Sequence, residues 1–294
     1  MSLDLPTRRS TVLPSAENAA QRTRRRNGMF WTHAALILGA VVMCFPFLWQ
    51  VLTSFKTIDE ALLVPPQLLP AQWNFTNYEK ALTALPFGAL VANSVASVLV
   101  RTAFQVAFCS MAGYAFARLR FPFRNTLFLA LLAIMMVPRE LYMLPQTEIM
   151  KGLGLLNTVP GLIAPGLFSA FGTFLMRQFF RSLPPSLEEA AKLDGAGFFR
   201  TFFSIMMPLA RPGMIALAIF TALFSWNELL WPLVVNSGTD KLNLSAGLST
   251  LIGQGITDYP MLMAGSFIAE LPMVILFLVL QRRFISGIAF TGTR

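Results

Sequence analysis

The stretch MFWTHAALILGAVVMCFPFLWQVLTSF, residues 29–55, contains no Asp, Glu, Lys or Arg. A helix needs about 20 predominantly apolar residues to cross the hydrocarbon core of a bilayer. In lipid, only helices and closed barrels satisfy their own backbone hydrogen bonds. The segment therefore predicts a membrane-spanning helix and indicates an integral membrane protein.

Five further segments are also long and predominantly apolar, although most of them contain one or two charged residues. Hydrophobic residues make up 55% of the chain and charged residues only 13%, against about 25% charged in soluble domains. The further spans are predicted at residues 81–117, 125–144, 152–176, 208–233 and 259–280. Together with the first segment they predict an all-α integral membrane fold with six transmembrane helices.

The basic residues fall mainly on one side of these spans. The net charge is +9, yet the chain has almost no long polar segment on which a nucleic acid could bind. Seventeen Lys and Arg side chains fall in one set of loops and tails, and four lysines fall in the other set. Because cytoplasmic loops retain the basic excess, both termini are predicted to be cytoplasmic. The expected organisation is a flexible basic tail over residues 1–28, a membrane domain over 29–281 and a cytoplasmic tail over 282–294.

Groups that could perform chemistry are scarce. Cys44 and Cys109 lie in apolar stretches with no second ligand at metal spacing, so we interpret them as buried hydrophobic residues. His33 has no nearby partner that would orient it for catalysis. None of the five lysines lies in a phosphate-binding G-x-x-x-x-G-K-[ST] loop, and no hydrolase motif is present. We expect no ATP site, no metal site and no enzymatic activity in this chain.

The connection between the fourth and fifth spans, about residues 182–208, has a pattern of its own. Pro184 and Pro185 should end one helix, and Ser186 with Glu189 has the spacing of a capping box that starts the next. Glycines at 195 and 197 allow a turn before a second helix with an aromatic face. An apolar patch bordered by charge is typical of a protein docking site. A helix lying on lipid headgroups fits the pattern equally well.

A longer motif in this loop resembles a known family. The sequence reads Glu189-Ala190-Ala191, then three residues to Gly195, nine more to Ile205, and Met207-Pro208 two positions on. This order resembles the EAA signature of ABC-importer permeases, E-A-A-x3-G-x9-I-x-L-P, with Met in place of Leu. The resemblance favours the docking interpretation over the lipid one.

Three other runs look like the carbohydrate-uptake branch of that family, which includes the maltose-system permeases. They are residues 173–180, 226–232 and 281–284. The resemblance implies a type I ABC-importer transmembrane domain in the inner membrane, with a cytoplasmic coupling helix. It also implies three partners: an ATPase dimer that binds ATP and Mg, a second permease and an extracytoplasmic solute-binding protein. The implied solute is a sugar or oligosaccharide, or else glycerol-3-phosphate or a glycerophosphodiester, which close relatives carry.

Two groups of candidate site residues follow. The resemblance assigns ATPase coupling to Glu188, Glu189, Ala190, Ala191, Asp194, Gly195, Ala196, Ile205 and Pro208. Candidates for the translocation path are Arg101, Asn227, Glu228, Trp231 and Glu270.

Charged side chains within spans require an explanation, since each costs about 2.5–3.5 kcal/mol at mid-membrane on insertion scales. Glu228 could lie at the interface within an aromatic belt, or face the substrate path. We predict an ion pair between Arg101 and Glu270. The alternative is that Arg101 extends to the interface and Glu270 is protonated.

Two rival functions remain from the residues alone. An ion-driven secondary transporter would use the intramembrane acids as proton sites, but it would have no use for a coupling loop. A membrane-embedded enzyme is disfavoured by the missing catalytic groups and the single histidine.

Overall fold

The computed structural model describes residues 16–252 and 257–289, with side chains described for residue 29, for 31–252 and for 257–279. The described residues form α-helices and connecting turns, without a β-strand among them. The predicted tails lie partly outside this range, at residues 1–15 and 290–294. Residues 16–28 of the predicted N-terminal tail form the first turns of a helix, and residues 282–289 of the predicted C-terminal tail continue the last one.

Fifteen α-helices are described in the two ranges above. They are α1 (Ala16–Ser54), α2 (Ile58–Ala61), α3 (Thr76–Ala84), α4 (Phe87–Arg118), α5 (Arg124–Ile134), α6 (Arg139–Gly152), α7 (Val159–Ile163), α8 (Ala170–Ser182), α9 (Ser186–Leu193), α10 (Phe198–Arg200), α11 (Met207–Leu209), α12 (Arg211–Trp226), α13 (Leu230–Val235), α14 (Leu244–Ser249) and α15 (Tyr259–Ala289). Short 3₁₀ turns occur at Ala164–Gly166 and Thr239–Lys241, and a π-helical turn at Thr201–Met206.

Three helical segments are long and apolar enough to cross a membrane without interruption. They are Trp31–Ser54, Phe87–Arg118 and Tyr259–Val279, with mean hydropathy of 2.2, 1.5 and 2.2. Three further segments pass the same test only as pairs of helices, α5 with α6, α7 with α8, and α10–α11 with α12. By length and composition, the described residues therefore contain three candidate spans, or up to six if each bent pair is one span.

The third, fourth and fifth predicted spans correspond to the bent pairs, in which the helix is interrupted. The helix axes change direction by 99° between α5 and α6, by 40° between α7 and α8, and by 72° before α12. α5 has 11 residues, which cover only about 16 Å at 1.5 Å per residue. The helix stops before Pro138, which lacks a backbone N–H and excludes its predecessor from helical conformation.

α4 is the central helix of the part that begins at Thr53, and it packs along α8 and α12. Small residues allow the close contact. A Cβ added to Gly113 would lie 2.6 Å from Cβ of Met176, and one added to Gly172 would lie 3.0 Å from Sγ of Cys109. Glycine at both positions therefore lets α4 and α8 approach closely, as small residues do between membrane helices.

α1 presents apolar side chains on all sides. Leu36, Val42, Met43 and Phe47 are each more than half exposed in the single chain, as expected for a surface that meets lipid or another subunit. Cys44 is exposed on this helix, so its interpretation as a buried residue was wrong, whereas Cys109 is buried.

Candidate functional site

A cleft of about 990 Å³ opens between α4, α6, α8 and α12. Its wall is formed largely where helices are interrupted. Met135–Pro138 between α5 and α6, the 3₁₀ turn before α8, and Glu228 just after α12 all line it. Non-helical backbone at membrane depth is tolerated where it is buried in protein or lines a cavity. The helix interruptions therefore form part of the cleft wall.

Arg101 on α4 donates hydrogen bonds to backbone carbonyls at the interruption between α7 and α8. Its guanidinium donates from Nε to the carbonyl oxygen of Ile163 at 3.2 Å and from Nη2 to that of Leu162, at the end of α7. Gly166 lies directly beneath, and a Cβ there would be 2.4 Å from Nε of Arg101. Only glycine leaves room for this side chain. Gln105, one turn further along α4, donates from Nε2 to the carbonyl of Gly166 at 2.7 Å.

Glu228 pairs with two arginines. One carboxylate oxygen accepts from Nη1 of Arg101 and the other from Nη2 of Arg139, the first residue of α6. The side chains of Arg101 and Glu228 are each only 5% exposed. The predicted pairing of Arg101 with Glu270 was wrong, because the acid that reaches Arg101 comes from the interruption after α12. Of the two interpretations of Glu228, its burial beside the arginines in the cleft wall favours the one in which it faces the path.

The aromatic belt suggested around Glu228 is absent from this part of the described structure. Trp226 and Trp231 are 4% and 1% exposed. Their indole N–H groups donate to the carbonyls of Ala269 and Gly161 at 3.1 and 3.2 Å. Both tryptophans therefore stabilise the packing around the interruption.

The backbone on both sides of Glu228 is held by the segment that leads into α14. Asn243 donates from Nδ2 to the carbonyl of Glu228 at 2.6 Å, and Ser245 donates from Oγ to that of Trp226 at 2.9 Å. Asn243 also caps α14 by accepting from the N–H of Ala246. These bonds fix the position from which the Glu228 side chain reaches the cleft.

The five predicted path residues do not all meet. Arg101 and Glu228 line the cleft. Asn227 is exposed at the end of α12, where Nδ2 donates to the carbonyl of Leu223, and Trp231 is buried in the core. Glu270 lies half-buried on α15 and is not part of the cleft wall.

The predicted helix–turn–helix between the fourth and fifth spans is present. α9 begins at Ser186, but its N-cap is Pro185 and no side chain caps it. The capping box predicted from Ser186 and Glu189 was therefore wrong, because Ser186 already lies inside the first turn. After Gly197 the chain continues through α10, the π-helical turn and α11.

The turn after α9 is a Schellman motif, which explains the glycine of the EAA pattern. Gly195 has φ of +74°, a conformation that side chains with a Cβ rarely adopt. Its N–H donates to the carbonyl of Lys192 at 3.0 Å, and that of Ala196 to Ala191 at 2.9 Å. Gly197 has an ordinary φ of −70° and is not required by the turn.

The second helix of the loop is anchored on one side only. Phe202 and Met206 are buried against Tyr114 of α4 and Phe180 of α8, with 4.9 Å between the ring centres of Tyr114 and Phe202. Phe199 is 72% exposed on the other side. The π-helical turn directly precedes Met207 and Pro208, and a proline cannot donate to the helical ladder.

One charged contact joins α9 to α4 and α8. Nε of Arg118, at the end of α4, lies 3.6 Å from Oε1 of Glu188, and these side chains are 11% and 14% exposed. Nη2 of Arg118 donates to the carbonyls of Phe180 and Leu183 at 2.7 and 2.5 Å. A guanidinium at the end of α8 satisfies carbonyls that the helix leaves without a partner.

The other predicted coupling residues lie on the two faces of this loop. Ala191 is buried, and Ala196, Ile205 and Pro208 are half-buried. The exposed ones are Glu189, Ala190, Asp194 and Gly195. Leu193 is 89% exposed, although it is a large apolar residue. The loop therefore presents an apolar surface away from its own core.

Residues 19–285 match the model of the family described as binding-protein-dependent transport system inner membrane component. The chain belongs to this family. The permease is 38% identical, over 95% of its length and 92% of the relative's, to the diacetylchitobiose uptake system permease protein of Streptomyces coelicolor. It is 37% identical, over 87% and 92%, to the arabinooligosaccharides transport system permease protein of Halalkalibacterium halodurans. It is 31% identical, over 90% and 97%, to the sn-glycerol-3-phosphate transport system permease protein of Pectobacterium atrosepticum.

The fold also matches a solved structure of a bacterial ABC transporter involved in the import of the acidic polysaccharide alginate. The TM-score is 0.75 over 88% of the permease and 98% of that chain, at 24% identity. This similarity establishes the shared ABC-importer permease fold.

Sequence reasoning missed Arg139 as a site residue of the permease. The available signal was its position in an apolar stretch, since an ionisable residue within a membrane span is a functional candidate by default. Gln105 was missed as well, because an amide in a long apolar helix has no spacing motif that would mark it.

Proposed function

We propose that this permease, with a second related permease, forms the translocation path of an ATP-driven importer. The solute is a carbohydrate or a related polar compound, delivered by an extracytoplasmic solute-binding protein. ATP and Mg bind to a separate ATPase dimer. The observation that carries the proposal is the docking loop, residues 182–208, which is anchored to the transmembrane helices on one side and exposes apolar residues on the other.

The docking loop supports coupling because both of its helices are attached to α4. Phe202 packs on Tyr114, and Glu188 lies beside Arg118, one turn further along the same helix. Arg101 in the cleft wall is on this helix too, 17 residues before Arg118, or about 25 Å along a helix. A displacement of the docking loop would therefore be transmitted to the cleft by a single helix.

The exposed face suits a protein groove. Leu193 and Phe199 are 89% and 72% exposed, with Glu189, Lys192 and Asp194 around them. Such an apolar patch with a charged rim is typical of a protein interface. We propose that this face binds the ATPase through the residues that the resemblance assigns to coupling.

The distribution of basic residues and the positions of the loops at the two ends of the bundle support one orientation in the membrane. Arg118, the docking loop and the start of α12 lie together at one end of the bundle. Asn93 near the start of α4 binds the carbonyls of Asp240 and Leu242, so the 236–243 connection lies at the other end. We propose that the docking-loop end and both termini are cytoplasmic.

The comparisons favour two solute classes. Relatives are named for diacetylchitobiose and arabinooligosaccharides, and another for sn-glycerol-3-phosphate. We propose sugar or oligosaccharide import as the main function, with glycerol-3-phosphate or a glycerophosphodiester as the second candidate. An ion-driven secondary transporter is the alternative mechanism, and such a transporter would not need the docking loop.

The test is uptake by proteoliposomes that contain the complete complex. We expect solute to accumulate only when the loaded binding protein is outside and MgATP is inside. A proton or sodium gradient without ATP should produce no accumulation. Uptake driven by such a gradient alone would overturn the proposal in favour of the secondary transporter.

A further inference from the structure

The charged side chains of the cleft differ in their exposed fraction. Three charged side chains line the cleft, the guanidinium groups of Arg101 and Arg139 and the carboxylate of Glu228. The side chains of Arg101 and Glu228 are 5% exposed, whereas that of Arg139 is 49% exposed. The carboxylate and the guanidinium of Arg101 are therefore buried in the cleft wall, whereas the guanidinium of Arg139 is accessible to a solute in the cleft.

The hydrogen-bonding capacity of these groups differs in the same way. All three nitrogens of Arg101 bind protein oxygens, and each oxygen of Glu228 accepts from an arginine. Arg139 uses only Nη2, toward Glu228. No acceptor for its Nε or Nη1 is present among the residues whose side chains the structure describes (29, 31–252 and 257–279). A guanidinium can donate five hydrogens, so most of those on Arg139 remain available.

The backbone adds to the positive potential at this point. Arg139 is the first residue of α6, which has 14 residues and begins after Pro138 without a side-chain cap. Pro138 and Arg139 both line the cleft. The first N–H groups of a helix carry a partial positive charge. The acidic residue of this first turn, Glu140, is exposed and is not part of the cleft wall.

We propose that the cleft takes a solute that carries an oxyanion, either a carboxylate or a phosphate, and that Arg139 binds that group. This inference rests on the proposed import function. Guanidinium binds planar carboxylates and phosphates through paired hydrogen bonds. Tyr142, Phe168 and Phe171 line the same cleft and supply apolar surface for the carbon skeleton of the solute.

Charge and hydrogen bonding at Arg139 can be separated by two substitutions. Arg139→Gln keeps donors but removes the charge, and Arg139→Lys keeps the charge but loses the paired geometry. Both leave Glu228 paired with Arg101, so the buried carboxylate keeps a partner. Lys151→Gln is a matched control, because Lys151 is a 67% exposed cation on the same helix, away from the cleft.

The experiment is ATP-dependent uptake by the reconstituted complex, with four solutes offered. They are sn-glycerol-3-phosphate, a uronic acid disaccharide, diacetylchitobiose and an arabinooligosaccharide. We expect uptake of the phosphate or the carboxylate compound only, and which of the two is taken up identifies the anion. Arg139→Gln should lower that uptake at least about tenfold, since a hydrogen bond with a charged partner contributes that much. Arg139→Lys should lower it less, and Lys151→Gln should leave it unchanged.

Two results would overturn the inference. ATP-dependent uptake of a neutral sugar at the same rate in wild type and Arg139→Gln would refute it while leaving the import function intact. Uptake that is driven by an ion gradient without ATP would refute the import function, and this inference with it. Melting temperatures of the variant complexes in detergent show whether a lost rate reflects binding or a lost fold.

Discussion

At the scale of single residues, Glu228 determines the charge balance of the cleft. Its carboxylate neutralises the buried guanidinium of Arg101, which would otherwise lie in a low-dielectric interior without a counter-ion. Removing one partner of a buried pair is strongly destabilising, by about 3–5 kcal/mol, because the other charge remains uncompensated. Removing both partners together costs much less than the sum.

A double-mutant cycle therefore tests the pair that the structure shows. Arg101→Ala and Glu228→Ala should each lower the stability of the complex, the second more than the first, because Arg139 still pairs with Glu228 when Arg101 is absent. The double variant should lose less than the sum of the two single losses. The measurement is thermal unfolding of the purified complex, with membrane abundance as a second readout. Glu148→Ala is the control, because its partner Lys151 is exposed and such pairs contribute about 0–1 kcal/mol. Additive losses for Arg101 and Glu228 would contradict the pair.

The sequence marks these charged residues as unusual, but it does not show which residues they pair with. Arg101 and Glu228 were conspicuous because charge is costly in lipid. Their pairing depends on the interruption after Trp226, across 127 positions of sequence. Glu270 was the wrong partner because hydropathy places residues along a span without showing which side of the helix they occupy.

At the scale of elements, the turn at Gly195 sets the angle between the two docking helices. The φ of +74° is a left-handed conformation that costs a residue with a Cβ about 1–2 kcal/mol. A Cβ at Gly195 would meet no atom within 4 Å, so a substitution there acts through the backbone and not through a clash. A β-branched residue should be the least compatible with this conformation.

We expect Gly195→Val to uncouple the complex. The subunit should still reach the membrane, but uptake and the stimulation of ATP hydrolysis by loaded binding protein should both fall. Gly197→Val is the control, since Gly197 has φ of −70° and ψ of 168°, which suit valine, and open space for a side chain. Normal coupling in Gly195→Val, or equal losses in the two variants, would contradict the role assigned to the turn.

The sequence predicted the helical elements better than their interruptions. The length of the apolar stretches predicted α1, α4 and α15, and the positions of glycines and prolines predicted the docking loop. The 99° bend between α5 and α6 was missed because a hydropathy window averages across a break. The failed capping box at Ser186 has a local cause: Pro185 already occupies the N-cap position.

At the scale of the whole molecule, we predict that the docking-loop end of the bundle faces the cytoplasm. A cysteine introduced at Ser237 should react with an impermeant thiol reagent in intact cells, and one at Ser186 should react only after the membrane is opened. Both positions are exposed in the chain. The variants require Cys44→Ser and Cys109→Ser beforehand. The opposite labelling pattern would invert the proposed topology.

We propose that the docking loop binds an ATPase, and protection of position 193 from chemical labelling tests this contact. Leu193→Cys, in the background that lacks Cys44 and Cys109, provides an 89% exposed thiol on this surface. Leu69→Cys, 63% exposed between α2 and α3, is the control at a position outside the docking loop. The rate of maleimide labelling is measured on the purified permease pair, with and without its ATPase. We expect the ATPase to slow labelling at Leu193→Cys and to leave Leu69→Cys unchanged. Equally fast labelling of Leu193→Cys with the ATPase bound would contradict the docking assignment.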